Sequence, residues 1–330
     1  MTKYAFLFLT TAAGILLTGC AHGPHDQNET YVLVAANTKI WYWQTVAQGL
    51  NRAASEMKVK SEVVGPDRYD PPAERTALLN VLQEKPAGIM ISPATANLFT
   101  NDINTALQQG IPVITIDSDD PLSKRLFFIG TDNYNAGRLG GQLLAKELSG
   151  KGNVVMFTYP NQLNLRERQQ GYLSVLDNYP AIKLTQAIDI KGDPSVASDT
   201  AKTLLESKVK VDAFVCLEAT ACPAIGDLVS RSNMTGKVAI IAMDTDQRTL
   251  TWIQKGVIAA TIAQRPYTMA YFATKVLDQI HHNPPPSLME DLAKNSYSPL
   301  PWFIDTGTFI VDKDNVNAYL QQNQAHAPAQ

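Results

Sequence analysis

The chain has little excess charge, few histidines and no cluster of basic residues. Lys and Arg number 28 against 31 Asp and Glu, so the formal net charge is −3. Without a basic patch to contact phosphates, nucleic acid is not expected as a partner. The 5 histidines have no partners at metal-ligand spacing, so neither a metal site nor another cofactor is expected.

Catalytic motifs are also absent. The sequence contains no GxSxG and no HExxH, and no histidine follows a predicted strand. Covalent catalysis needs a nucleophile beside a base, so we expect a protein that is not an enzyme. Gly137, Gly140 and Gly141 do not have the spacing of a nucleotide-binding loop. Their place within a helical pattern favours close helix packing instead.

Only one long hydrophobic run is present, and it lies at the start of the chain. Lys3 precedes the apolar residues 4–17, and small residues lead to Cys20. A bilayer span needs about 20 residues, so this shorter run predicts a secretory signal over residues 1–19. The stretch LTGC that ends at Cys20 resembles a bacterial lipobox, which implies lipidation of Cys20. An ordinary signal followed by an incidental cysteine is the alternative.

The segment after the signal is polar. Residues 20–30 contain Gly and Pro, which predicts a flexible tether between anchor and fold. We therefore expect a protein of the periplasm or the cell exterior, held at the membrane through Cys20. Cys216 and Cys222 then remain in an oxidising compartment. Their separation of six residues is compatible with a local disulfide and also with two buried thiols.

Short apolar strands alternate with amphipathic helices along the rest of the chain. About 310 residues remain after the signal, more than one hydrophobic core usually holds. Valine and isoleucine runs without strict alternation are typical of parallel strands covered on both faces. Two cycles of the pattern meet near Gly130, so we predict an α/β protein of two similar doubly wound parallel-sheet lobes. The predicted strands are residues 31–36, 60–65, 87–92, 112–117, 125–130, 153–159, 183–190, 212–217, 238–243 and 259–264.

Polar and aromatic side chains follow the ends of these strands. In open parallel sheets, ligands bind beyond the carboxyl ends of the strands. Aromatic rings stack on the C–H faces of sugars, and carboxylates, amides and arginine pair with desolvated hydroxyls. The set therefore favours a sugar, a polyol or another small polar ligand. The candidate contacts are Asn37, Tyr42, Trp43, Ser92, Asp117, Ser118, Thr131, Arg166, Glu218, Asp244 and Gln264.

Three consecutive aromatic rings, Trp41, Tyr42 and Trp43, follow the first strand. They cannot all enter one core, so we expect at least one of them to face the ligand. The alternative places Trp43 on the core face of the first helix and Trp41 at the surface.

Five longer stretches form a recognisable set. They are GIMISPATA, GIPVITIDSD, FIGTDNYNAGRLGGQLLA, LRERQQGYLSVL and AATIAQRPYTMAYFATKVL. Together they resemble the periplasmic sugar-binding proteins of ABC importers, the ribose-binding-protein type, over about residues 31 to 320. The resemblance implies two lobes joined by three crossover strands, with a ligand cleft between them. It assigns residues 31–131 plus 265–298 to the N-terminal lobe, and 132–264 plus 299–330 to the C-terminal lobe.

The same resemblance implies a function. The protein is expected to act as a monomer that captures a sugar or polyol by closure of its lobes and presents it to an ABC permease. A ligand-sensing subunit that presents the closed form to a histidine kinase or chemoreceptor is the alternative.

Several contact positions of that family have counterparts here. Tyr42 and Trp43 match the aromatic pair that sandwiches the sugar, and Asp117 matches a carboxylate that holds ring hydroxyls. Asp244 matches the aspartate after the penultimate strand, and Gln264 matches the glutamine of a hinge.

Other positions depart from the family pattern. Arg166 is matched to the arginine of an RxxG helix start, although the spacing here is RERQQG. Ser118 stands where ribose binders commonly have arginine, and Ser92 stands where they have asparagine. Glu218 lies where the family has Asn-Asp. These differences argue against ribose itself as the ligand.

Overall fold

The computed structural model of the chain describes residues 25–292 and 294–326. The predicted signal over residues 1–19, the predicted lipidation site Cys20 and the first part of the predicted tether lie outside these residues. The rest of the tether runs into the first strand, and His25 lies against Asp278. Within the described ranges, no helix combines the length and the hydropathy that a bilayer crossing requires.

The first lobe is built on a sheet of six parallel strands. Its inner strands are covered on both faces, and all four residues of the stretch VITI in β4 (Val113–Ile116) are buried. This double burial explains why valine and isoleucine run on without alternation. Across the sheet, the strands are β11 (Phe303–Asp305), β5 (Phe128–Gly130), β4, β3 (Gly88–Ile91), β1 (Thr30–Val34) and β2 (Lys60–Val64).

The second lobe repeats this arrangement with later strands. Across its sheet they are β12 (Phe309–Asp312), β10 (Ala260–Ala263), β9 (Ala239–Met243), β8 (Ala213–Cys216), β6 (Lys151–Thr158) and β7 (Ala181–Asp189). The edge strand β12 is antiparallel to β10, which is common for an edge strand of an otherwise parallel sheet. By position, β4 corresponds to β9, and β5 corresponds to β10. The predicted fold class of two doubly wound lobes is confirmed.

Helices cover both faces of the two sheets. In α1, Val46, Leu50, Ala53 and Met57 are buried at helical spacing against the first sheet, as the sequence pattern predicts. The helices of the described residues are α1 (Trp41–Met57), α2 (Pro71–Glu84), α3 (Thr100–Gln108), α4 (Asn133–Glu147), α5 (Leu163–Leu176), α6 (Pro194–Glu206), α7 (Ala221–Arg231), α8 (Gln247–Gln254), α9 (Pro266–His282) and α10 (Val316–His326).

Helices α4 and α5 approach each other closely through glycines. A Cβ atom at Gly137 would lie 2.0 Å from the carbonyl oxygen of Arg168, and one at Gly171 would lie 2.1 Å from the carbonyl oxygen of Tyr134. Neither separation is sterically allowed, so only glycine fits at these two contacts. Gly140 and Gly141 also face α5, where added Cβ atoms would lie 2.0 Å from the Tyr172 hydroxyl and 3.0 Å from the Val175 Cβ, so the prediction that Gly137, Gly140 and Gly141 serve close packing is confirmed.

Within the described residues, the chain passes between the lobes three times. The first two passages join β5 to α4 and β10 to α9, near the expected positions. The third joins β11 to β12, at residues 306–308. Strand β11 pairs with β5 of the first sheet, although the expected division assigns residues 299–330 to the second lobe. The stretch FID is only three residues long, which is too short to specify a partner strand from the sequence.

Candidate functional site

A cleft of about 60 Å³ lies between the lobes, beyond the carboxyl ends of strands from both sheets. This volume holds about four to six water molecules. The first lobe lines it with Ala36, Asn37, Ile40, Tyr42, Trp43, Tyr69 and Asp117, and the second with Tyr159, Gln162, Asn164, Leu165, Arg168, Glu218, Ala219, Asp244 and Gln264. The strand-end rule therefore locates the cleft correctly.

The lobes touch each other around this cleft. The Asn164 side-chain amide donates to Asp117 across it at 3.2 Å. The rings of Tyr69 and Tyr159 stack with their centroids 4.8 Å apart. Because these contacts join opposite lobes, the structure describes a closed arrangement.

Two aspartates occupy equivalent places in the two lobes. Asp117 follows β4 with φ of 64°, and Asp244 follows β9 with φ of 67°. Positive φ is uncommon for residues other than glycine and marks positions that the surroundings hold in place. The turn directs both carboxyl groups towards the cleft from opposite sheets.

Asp117 is held by three donors. The Tyr42 hydroxyl donates to it at 2.6 Å, and the Ser92 hydroxyl donates at 3.3 Å. Asn164 is the third donor. Burial raises the pKa of Asp117, and Arg168 and these hydrogen bonds oppose that rise.

Asp244 is more strongly perturbed. Its carboxyl group accepts from the Gln264 amide at 2.9 Å. Burial, with smaller effects from Asp117 and Glu218, raises the pKa of Asp244 to about 7 in spite of Arg168. Desolvation and nearby like charges both disfavour the ionised form. This carboxyl group therefore titrates near neutral pH in the closed arrangement of the lobes.

Arg168 is the cationic group of the cleft. Its side chain is only 2% exposed. The guanidinium donates to the Asn133 side chain at 2.9 Å, to the Leu217 carbonyl at 2.8 Å and to the Gln264 side chain at 2.9 Å. These partners come from three different segments of the chain, so the guanidinium is fixed in one orientation.

The prediction of Arg166 as the cleft arginine is wrong. Arg166 is exposed on α5 and does not line the cleft. Two positions along a helix differ by about 200°, because each residue turns it by about 100°, so Arg166 and Arg168 face opposite sides. The sequence does carry the signal: Arg168-Gln-Gln-Gly171 has RxxG spacing, and Gly171 is the glycine that contacts α4.

Glu218 lines the cleft and also organises the start of α7. Its carboxylate accepts from the backbone N–H groups of Thr220 and Ala221 at 2.6 and 2.7 Å. The Tyr159 hydroxyl donates to it at 3.2 Å. Burial raises the pKa of Glu218, and the hydrogen bonds from Thr220 and Ala221 oppose this. Both carboxylate oxygens of Glu218 therefore hold the start of α7 while the residue lines the cleft.

Two of the three consecutive aromatic residues reach the cleft. Tyr42 and Trp43 are each 4% exposed and line it, with their rings 5.3 Å apart and nearly perpendicular. Trp41 is partly exposed. Asn37 also lines the cleft, and its side-chain oxygen accepts from the backbone of Lys39 and Ile40 ahead of α1.

Three predicted residues lie behind the lining rather than in it. Ser92 supports Asp117, and the Thr131 hydroxyl donates to Gln264 at 2.8 Å. Ser118 is fully buried, and its hydroxyl has no hydrogen-bond partner among the described residues. Direct ligand contact by these three was predicted from position after a strand, but alternate residues there point in opposite directions.

The predicted contacts omit five polar or aromatic residues of the cleft lining. Tyr159 directly follows β6 and so lies at a strand end, three others lie in loops or at the first turn of α5, and the fifth is the arginine discussed above. They are Tyr69, Tyr159, Gln162, Asn164 and Arg168.

The cleft suits an uncharged polar guest. Three carboxyl groups oppose a strongly anionic ligand, and the fixed guanidinium of Arg168 opposes a bound metal cation. The amide, carboxyl and guanidinium groups of the lining offer both hydrogen-bond donors and acceptors. Hydroxyl groups of a ligand need both kinds of partner once they lose their water.

Cys216 and Cys222 form a disulfide beside the cleft. The bridge closes a loop that contains Glu218 and Ala219. We expect replacement of both cysteines by alanine to lower the free energy of unfolding by about 2 kcal/mol, because the loop gains freedom in the unfolded chain. Urea unfolding with and without a thiol reductant measures this. The wild type should respond to reductant and the double variant should not; equal stability of the two proteins would contradict the expectation.

Comparisons with known proteins agree with the two-lobe fold. A family model described as "Periplasmic binding protein domain" matches residues 31–282. The chain is 35% identical to a sugar-binding protein of a sugar ABC transporter from Bacillus halodurans, covering 88% of this chain and 100% of that one with a TM-score of 0.75. For AraP, an arabinose-binding protein from Geobacillus stearothermophilus, the identity is 33%, the coverages are 88% and 99%, and the TM-score is 0.71. The ribose import binding protein RbsB of Haemophilus influenzae is 25% identical, over 82% of this chain and 92% of its own.

Proposed function

The chain belongs to the periplasmic binding protein family, and from that premise we propose that it is the extracytoplasmic sugar-binding component of an ABC importer. One observation carries the proposal: carboxyl, amide, guanidinium and aromatic groups from both lobes converge on one cleft. Such a site binds and releases a ligand, and the proposal includes no catalysed reaction.

The proposed ligand is a neutral monosaccharide. Tyr42 and Trp43 supply apolar ring faces, while Asp117, Asp244 and Arg168 supply charged partners for hydroxyl groups. Charged hydrogen bonds with fixed geometry distinguish one hydroxyl configuration from its epimer. Ribose, arabinose and glucose-galactose binding among the relatives makes pentoses and hexoses the first compounds to test.

Closure of the lobes is the proposed mode of capture. The contacts of Asp117 with Asn164 and of Tyr69 with Tyr159 join the lobes directly. A ligand that bonds to both lobes stabilises this closed arrangement over an open one. The permease would then recognise the closed form, and a lipid at Cys20 would keep the monomer beside it. Presentation to a histidine kinase or chemoreceptor stays the alternative prediction.

Thermal unfolding in the presence of single sugars tests the binding function. We expect at least one aldopentose or aldohexose to stabilise the protein, by about 2.7 kcal/mol when its concentration is 100 times the dissociation constant. Ribose, D- and L-arabinose, xylose, glucose, galactose and inositol form the panel, with nucleosides and amino acids as controls. A stabilising nucleoside or amino acid with no response to any sugar or polyol would reject the proposed ligand class.

A further inference from the structure

Four potential metal ligands meet on the first lobe, away from the cleft. His25 and Glu29 precede β1, and Asp278 and His282 lie one turn apart near the end of α9. One ligand atom of each residue lies within 4.8 Å of the others. None of the four lines the cleft.

The geometry around His282 leaves a lone pair facing a carboxylate. Its Nδ1 lies 2.9 Å from the backbone carbonyl of Asp278. A carbonyl oxygen only accepts, so Nδ1 carries the proton in the neutral ring. The other nitrogen, Nε2, then presents its lone pair 3.1 Å from Oε1 of Glu29. Either a metal ion or a second ring proton must lie between these two atoms.

His25 and Glu29 show the same shortage of donors. The His25 Nδ1 and the Glu29 Oε2 are buried and have no hydrogen-bond partner among the described residues. His25 Nδ1 is nevertheless 3.1 Å from Oδ1 of Asp278. The His25 and His282 rings lie 5.1 Å apart, so protonating both rings would place two positive charges side by side.

We propose that His25, Glu29, Asp278 and His282 bind one divalent zinc ion. Two imidazole nitrogens and two carboxylate oxygens form a set that zinc accepts in tetrahedral sites. Metal–ligand bonds of about 2.0–2.1 Å place tetrahedral ligands about 3.3 Å apart. The two nitrogen–oxygen separations of 3.1 Å fit such edges.

Groups around these ligands already hold them in orientation. The Tyr31 hydroxyl donates to Oδ1 of Asp278 at 3.0 Å, from within β1. The backbone carbonyl of Asp278 fixes the tautomer of His282. Outer partners of this kind orient metal ligands and tune their basicity. Sequence spacing did not reveal the site, because its two halves are separated by almost the whole chain.

The zinc ion would hold the segment before β1 against the end of α9. This segment is the C-terminal part of the predicted tether, so metal binding would shorten the flexible part of the tether. The site depends only on the first lobe and does not rest on the proposed sugar function.

Equilibrium dialysis of the untagged, chelator-treated full chain against Zn²⁺ tests the proposal. We expect one zinc per chain in the wild type, and at least about 100-fold weaker binding in His25→Ala and in His282→Ala. His281→Ala is the matched control, because His281 is exposed on the same turn of α9 and is outside the cluster. This variant should bind like the wild type.

Two further readouts separate loss of metal from loss of fold. The metal-free variants should melt at the temperature of the metal-free wild type, since the exchanged side chains lie near the surface. Replacement of zinc by Co²⁺ should give the intense visible absorption of a four-coordinate site. Unchanged zinc affinity in both His25→Ala and His282→Ala, or a weak six-coordinate cobalt spectrum, would overturn the proposal.

Discussion

Replacing Arg168 with alanine is expected to abolish ligand binding and to lower the free energy of unfolding by about 3 to 5 kcal/mol. The guanidinium is buried and donates to three acceptors. Removing one partner of a buried charged network leaves the others desolvated and unpaired, and such changes cost about this much. The cleft also loses the cation that favours ionisation of Asp117 and Asp244.

The matched control is Arg166→Ala on the same helix. Arg166 is exposed, so we expect a stability change within about 0.5 kcal/mol and unchanged sugar affinity. Arg168→Lys keeps the charge but loses the planar fork that reaches three acceptors, so it should bind more weakly than wild type and be more stable than Arg168→Ala. Calorimetric titration and urea unfolding measure both quantities. If Arg166→Ala lost sugar binding and Arg168→Ala retained it, Arg166 would be the cleft arginine and Arg168 would not.

The fold could be predicted from the sequence because the residue patterns that indicate its strands and helices are local. Runs such as VITI in β4 and the spacing of Val46, Leu50 and Met57 in α1 each report burial on a known face. The boundary between the lobes was harder to predict from the sequence. The three-residue strand β11 pairs with β5 far away in sequence, and so short a strand does not specify its partner.

Residues of the site could be predicted from the sequence where a strand ends in a tight turn. Asp117 and Asp244 follow equivalent strands, and both were predicted. Tyr69 on a loop and Gln162, Asn164 and Arg168 at the start of α5 were not predicted, because their direction depends on the helix phase and on tertiary packing. Arg168 illustrates the point: its orientation follows from the glycine contact between α4 and α5, and within α5 only the RxxG spacing to Gly171 indicates it.

Replacing Asp244 with asparagine is expected to stabilise the ligand-free protein above neutral pH while it weakens sugar binding. Asparagine has nearly the same shape and tolerates positive φ well, so the turn after β9 should persist. The exchange removes a carboxylate that burial and neighbouring carboxyl groups disfavour. It also removes a charged acceptor, and loss of a charged hydrogen bond costs about 1.5 to 3 kcal/mol of binding free energy.

The gain in stability of Asp244→Asn over the wild type should increase as pH rises. The pKa of Asp244 rises from 3.8 to about 7 on folding. Between these values the folded protein retains a proton that the unfolded chain releases, so stability contributed by this group falls as pH increases through the window. One pKa unit corresponds to about 1.4 kcal/mol, so the gain in Asp244→Asn should approach an upper value of about 4 kcal/mol at pH 8 and vanish near pH 4.

Urea unfolding of the wild type and Asp244→Asn between pH 4 and 8 measures this difference. Asp117 and Glu218 contribute slopes of the same sign to both proteins, so the difference between the two curves reports Asp244 together with its smaller coupling to these two groups. Asp199→Asn makes the same chemical exchange at an exposed position of α6 and should give parallel curves. If Asp244→Asn is more stable than the wild type and binds sugar poorly, Asp244 serves ligand binding and lowers the stability of the protein. A destabilised variant would instead show that the carboxylate is a structural partner of Gln264 and Arg168.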